Sequence, residues 1–135
     1  MTAFIDTNVL IYAHGSGAKS EAARTVILAG GVISAQVLNE FAVVLRRKFR
    51  LDWPMISDAL ADVRVALEPV RPIDVKIHQH AVTLASSHGF NFYDALIVAS
   101  ALAAGCDTLL TEDLQAGRKI EGLTIVNPFA SAAAG

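Results

Sequence analysis

Short apolar runs alternate along this chain with longer segments of helical periodicity. The runs Ala3–Ile5, Thr108–Leu110 and Leu123–Val126, and the shorter run at residues 32–33, have the composition of buried strands. Apolar residues at three- and four-residue spacing predict helices at residues 18–29, 35–49, 53–67, 73–87 and 93–104. This alternation predicts an α/β fold, with a parallel sheet that helices cover on both faces.

Length and composition are those of one compact unit. A chain of 135 residues can bury its own core, so we expect a single domain over residues 1–129 and a frayed tail over residues 130–135. Hydrophobic residues make up 53% of the chain, a surplus that a partner surface would bury. No apolar stretch reaches the roughly 18 residues of a membrane helix. The single cysteine, Cys106, fits a reducing compartment, and we expect a cytoplasmic protein.

Acidic residues occur where the predicted strands end. Asp6 follows the first strand, Asp113 follows the strand near residue 110, and Asp94 opens the last helix. The carboxyl ends of parallel strands lie at one edge of a sheet, where ligands gather. Glu40 lies beside the apolar face of its helix and can reach the same edge. Four converging carboxylates repel one another unless a cation joins them, and oxygen ligands alone favour Mg²⁺ or Mn²⁺.

Each of these acids also has an ordinary structural interpretation. Asp6 could form an Asx-turn with the backbone two residues on, and Glu40 could extend into solvent. Asp94 could complete a capping box with Asn91, and Asp113 could cap a turn. These interpretations stay open for each residue. They do not predict that all four acids share one edge of the same sheet.

The segments around these acids resemble a known family. They read "FIDTNVLIYA", "NEFAVVLRRK", "FNFYDALIVASALAAGCDTLLTEDL" and "GLTIVNP", and the resemblance spans about residues 3–128. In this order they are similar to the PIN-domain ribonucleases, and specifically to the VapC-type toxins of bacterial toxin–antitoxin pairs. The resemblance implies a three-layer α/β/α sandwich with a central parallel sheet, and metal-dependent endonucleolytic cleavage of RNA. It implies a catalytic quartet of Asp6, Glu40, Asp94 and Asp113.

The chemistry of RNA hydrolysis suits such a quartet. A divalent ion lowers the pKa of a bound water and relieves charge on the phosphoryl oxygens. The expected metal ligands are Asp6, Asp94 and Asp113, and Glu40 is expected to hold a ligand water. The neighbours expected to fix the orientation of these carboxylates are Asn8, Thr111 and Glu112.

Positive charge for binding RNA must be local, because the net charge is -2. The candidate phosphate contacts are Arg46, Arg47, Lys48 and Arg118. The alternative for the first three is that cations at a helix C-terminus stabilise the helix dipole. The resemblance adds two protein partners, namely a second copy of the chain in a homodimer and an antitoxin that projects a basic side chain into the acid site.

Two other classes of protein stay open at this stage. A PIN-like module that binds RNA or protein with weak catalysis or none would have the same fold. A receiver-like or dehalogenase-like phosphotransfer domain also carries an aspartate after its first strand. The latter type needs a second acid two residues later, where this chain has Asn8, and a receiver needs an acidic pair before Asp6. Neither pattern is present.

Overall fold

The structure, a computed structural model, describes residues 2–130, so residues 131–135 of the predicted tail lie outside the described residues. The elements in chain order are β1 (Ala3–Ile5), α1 (Thr7–His14), α2 (Ala18–Ala29), α3 (Ala35–Arg47), α4 (Trp53–Ala66), α5 (Val75–His88), α6 (Phe92–Ala103), β2 (Thr108–Leu110), β3 (Lys119–Ile120) and β4 (Leu123–Val126). Among residues 2–130, none of the helices combines the length and apolarity needed to cross a membrane.

The sheet has the order β1-β2-β4-β3. β1 pairs with β2 and β2 pairs with β4, both in parallel register. β3 is antiparallel to β4, because Glu121 and Gly122 both adopt positive φ and close a two-residue hairpin. The predicted α/β fold with parallel strands is confirmed, and β3 makes the sheet mixed. The predicted strand at residues 32–33 is reduced to an isolated parallel bridge between Val32 and Phe4.

Side-chain caps fix where several helices begin. Ser34, Asp52, Asp74 and Asn91 each accept a hydrogen bond from a backbone N–H in the first turn that follows. α6 is buried over residues 95–101 and packs against the sheet, as its almost wholly apolar sequence requires. The N-terminus of α6 is therefore held next to the strand ends.

The helix α1 was not predicted. Its apolar residues Val9, Leu10, Ile11 and Tyr12 form a continuous run, which has neither the strand period nor the helix period. The Asp6 carboxylate accepts a hydrogen bond from the Thr7 backbone N–H and caps the helix directly after β1. The chain thus turns from strand to helix at the carboxyl edge of the sheet.

Candidate active site

One cleft at this edge contains all four predicted acids. Its volume is about 740 Å³, and α1, α3, α6 and the loop after β2 form its walls. The acids that line it are Asp6, Glu40, Asp94 and Asp113. The fold therefore brings together side chains from four separate segments of the sequence.

Asp6 is the most buried of the four acids, with 5% of its surface exposed. Its Oδ1 accepts from the Thr7 backbone N at 2.7 Å, and its Oδ2 accepts from Thr111 Oγ1 at 2.8 Å. Burial raises the pKa of Asp6 to about 6, and the charges of Glu40 and Asp113 act in the same direction. The expected Asx-turn to the backbone two residues on is replaced by a contact one residue earlier, since the carboxylate accepts from Thr7 N–H, caps α1 and also lines the cleft.

Asn8 and Thr111 tie the loop after β2 to the start of α1. The Asn8 side-chain amide donates to Thr111 Oγ1 at 3.0 Å and to Asp113 Oδ2 at 3.1 Å. Thr111 Oγ1 in turn accepts from the Asp113 backbone N at 3.1 Å. Asn8 and Thr111 therefore lie between Asp6 and Asp113, and each donates a hydrogen bond to at least one of the two carboxylates.

Two further residues, Thr7 and Gln36, hold Glu40 and were missed by sequence reasoning. Thr7 Oγ1 donates to Glu40 Oε2 at 2.7 Å, and Gln36 Nε2 donates to Glu40 Oε1 at 2.9 Å. Glu40 is consequently fixed in the cleft instead of extending into solvent. Gln36 could have been found, because it lies one helical turn before Glu40.

Asp94 forms the cap contacts considered for it and also lines the cleft. Asn91 is the N-cap of α6, and its Oδ1 accepts from the Asp94 backbone N at 2.9 Å. The Asn91 amide also donates to Asp94 Oδ2 at 2.7 Å. Partial burial raises the pKa of Asp94, and so do the charges of Asp113 and Glu40. The cap positions this carboxylate without neutralising it.

Glu112 does not line the cleft, in contrast to the supporting role expected for it. Its carboxylate forms an ion pair with Lys19 Nζ at 3.0 Å and accepts a hydrogen bond from the Tyr12 hydroxyl. Partial burial acts to raise the pKa of Glu112, but these two partners outweigh it and the pKa is lowered. The contribution of this residue to the site comes from its backbone N–H, which donates to Asn8 Oδ1 at 3.4 Å.

Of the four candidate phosphate contacts, Arg47 lines the cleft. Arg46, Lys48 and Arg118 lie elsewhere, each over an aromatic ring with its charged centre between 4.6 and 5.9 Å from the ring centroid. Arg46 also donates to the Leu51 carbonyl at 3.0 Å near the end of α3. The helix-end alternative therefore describes Arg46 well.

The cleft suits a hydrated divalent ion by its donor chemistry. Within residues 2–130, no three His, Cys, Asp or Glu side chains stand close enough together to enclose a metal ion. Mg²⁺ is commonly held by one or two carboxylates while it keeps several waters. The side-chain acids of the cleft offer oxygen ligands alone, and in the described residues none of them has an ion-pair partner. Carboxylates that contact the ion through bound water would explain why the acids have no ion-pair partner among the described residues and yet are too far apart to enclose an ion directly.

Comparison with known proteins identifies the family. The family model of the PIN domain matches residues 3–120, so this chain belongs to the PIN domain family, as the sequence motifs predict. This assignment excludes the phosphotransfer alternative. No curated protein shows significant sequence similarity to the chain.

Solved structures share the fold. A toxin–antitoxin complex from Klebsiella pneumoniae is 24% identical, with a TM-score of 0.66, over 94% of this chain and 98% of that one. VapBC2 from Rickettsia felis, bound to a DNA fragment from its promoter, is 20% identical with a TM-score of 0.65 over 93% and 97% of the two chains. VapC20 of Mycobacterium tuberculosis, a toxin that cleaves the sarcin–ricin loop, is 19% identical with a TM-score of 0.65 over 80% and 87%.

Proposed function

We propose that this chain is a metal-dependent endoribonuclease of the cytoplasm and the toxin of a toxin–antitoxin pair. One observation carries the proposal. In a PIN fold, four carboxylates from distant parts of the sequence line a single cleft, and the donors that orient them are neutral. A polar network built only for stability would supply cations to such a cluster.

Each acid has a distinct part in this proposal. Asp6, Asp94 and Asp113 would hold Mg²⁺ or Mn²⁺, which supplies a water of lowered pKa and relieves charge on the phosphate. Asn8 and Thr111 keep Asp6 and Asp113 in place through their hydrogen bonds. Glu40 has both oxygens oriented by neutral donors, so it can accept a proton from a water in the cleft.

The proposal includes two protein partners, an antitoxin and a second copy of the chain. The Klebsiella and Rickettsia structures are toxin–antitoxin assemblies of the same fold, which supports an antitoxin for this chain. Several apolar side chains are exposed on its surface, among them Leu28 at 87%, Val65 at 76% and Val75 at 69%. Protein partners would remove such side chains from water.

The proposal is tested by cleavage of single-stranded RNA with Mn²⁺, with Mg²⁺ and with EDTA. We expect cleavage with either ion, none in EDTA, and a loss of roughly 1,000-fold in Asp6→Asn, which disrupts binding of the ion. Asp62→Asn is the matched control, because Asp62 is an exposed acid of α4 outside the cleft. Equal cleavage with Mn²⁺ and with EDTA would contradict the proposal. RNA binding without cleavage would favour the non-catalytic module.

A further inference from the structure

The cleft continues beyond the acids along one face of α3. Gln36, Glu40, Val43 and Arg47 follow one another at three- and four-residue spacing and all line it. Arg47 lies seven positions after Glu40, which corresponds to about 10 Å along the helix axis. Along α3, the cleft thus has an acidic end at Glu40 and a cationic end at Arg47.

Arg47 differs from Arg46 and Lys48 in having no side-chain partner among residues 2–130. Within residues 2–130, its guanidinium makes no hydrogen bond, ion pair or cation–π contact that would hold it, whereas Arg46 bonds a carbonyl and stacks on Trp53. Arg47 lines the acidic cleft, and its unengaged guanidinium keeps its donors for a ligand. Phosphate is the anion that its planar fork binds best.

Tyr93 stands at the other wall, next to Asp94. It lines the cleft with 61% of its surface exposed, and no hydrogen bond to its hydroxyl is formed among residues 2–130. Phe92 supports it edge-on, with 5.9 Å between the ring centroids. An exposed ring that packs edge-on against a neighbour is suited to stack on a flat ligand, and bases that are not paired offer such faces.

We infer that Arg47 and Tyr93 form a subsite for single-stranded RNA, in which Tyr93 stacks on a base near the scissile bond and Arg47 binds a backbone phosphate beyond it. This inference rests on the proposed function, since it specifies the substrate of the same cleft. It makes unpaired RNA the substrate, because a base in a duplex cannot present its face to Tyr93.

The inference is tested by binding, separately from cleavage. Fluorescence anisotropy in EDTA measures the affinity for a labelled single-stranded RNA and for its duplex at several salt concentrations. We expect Arg47→Gln to reduce the slope of log affinity against log salt by about 0.7, the value for one phosphate contact on a single strand. We expect Tyr93→Leu to weaken binding to the single strand on the order of 10-fold and Tyr93→Phe to restore it, with no effect on duplex binding.

Arg64→Gln is the control, because Arg64 is an exposed arginine of α4 outside the cleft. If Arg47→Gln and Tyr93→Leu bind RNA like this control, or if the unaltered chain binds no RNA, the subsite is wrong. The subsite is also wrong if the two changes leave RNA binding unaltered and weaken only the binding of a protein partner encoded beside this chain. If the binding effects are found but Mn²⁺ induces no cleavage, the subsite stands and the proposed nuclease function fails.

Discussion

Glu112 and Asp113 are consecutive acids in one loop, yet the fold treats them in opposite ways. Glu112 is paired with Lys19 and Tyr12, and its pKa is lowered. The Asp113 carboxylate is met by the neutral Asn8 amide, and its charge raises the pKa values of nearby acids in the cleft. The difference shows that Lys19, a cation at this edge of the sheet, pairs with the acid outside the cleft and not with the acid inside it.

Neutral donors are the rule for the cleft carboxylates. The groups that orient them are the side chains of Thr7, Asn8, Gln36, Asn91 and Thr111 and the backbone N–H of Thr7. A neutral donor fixes direction but leaves the charge in place, so the cluster stays ready for a cation. This arrangement lowers the stability of the folded chain at neutral pH, because burial raises the pKa of Asp6 and disfavours its charged form.

Neutralising each of the two consecutive acids gives the largest expected contrast. Asp113→Asn is expected to lower kcat/KM for RNA by roughly 100-fold with little change in thermal stability, because it removes one of the proposed metal ligands. Glu112→Gln is expected to keep most activity and to lower the free energy of unfolding slightly, since it weakens a partly exposed ion pair. Initial rates and thermal unfolding of both variants measure this contrast. The reverse pattern would show that Glu112 is the functional acid.

The hydroxyl of Thr7 should affect metal use through Glu40. Thr7→Val keeps the shape of the buried side chain but removes the donor to Glu40 Oε2, so we expect the Mn²⁺ concentration for half-maximal activity to rise roughly 10-fold. Thr7→Ser retains the hydroxyl and should restore the original value. If the serine variant behaves like the valine variant, packing explains the effect and the hydrogen bond does not.

The raised pKa of Asp6 should produce an unusual dependence of stability on pH. Its pKa is about 6 when folded and 3.8 in the reference state, so between these values the folded chain binds more protons. Stability therefore falls as pH rises, by about 1 kcal/mol from about pH 5 to about pH 7 in EDTA. Chemical denaturation across this range, with Asp6→Asn as the reference that lacks the titrating group, isolates the effect. A difference between the two proteins that grows in favour of the unaltered chain as pH rises would contradict it.

The parts of the site that follow from strand ends could be predicted from the sequence. Asp6 and Asp113 each follow a parallel strand, and Asp94 opens a helix, so topology alone places them at one edge. Glu40 followed from its position between apolar helical neighbours. The family motifs led to the same four residues, and the family itself is confirmed.

The features that the sequence did not predict have two kinds of cause, namely contacts between distant segments and weak local signals. Nothing near Glu112 in the sequence indicates that Lys19 and Tyr12 would face it, because they lie 93 and 100 positions away. The helix α1 gave no periodic signal, since its apolar run is continuous. The two-residue strand β3 is specified by the hairpin at Glu121 and Gly122, a local turn signal that was available but is weak in so short a strand.

Titration with Mn²⁺, followed by electron paramagnetic resonance, tests most directly the claim that the cleft keeps its charge for a divalent ion. The account predicts saturable binding by the unaltered chain, binding weakened roughly 10-fold or more in Asp94→Asn, and binding unchanged in Glu112→Gln, whose charge is already neutralised by Lys19. Binding that is absent from the unaltered chain, or that is weakened equally in both variants, would contradict it.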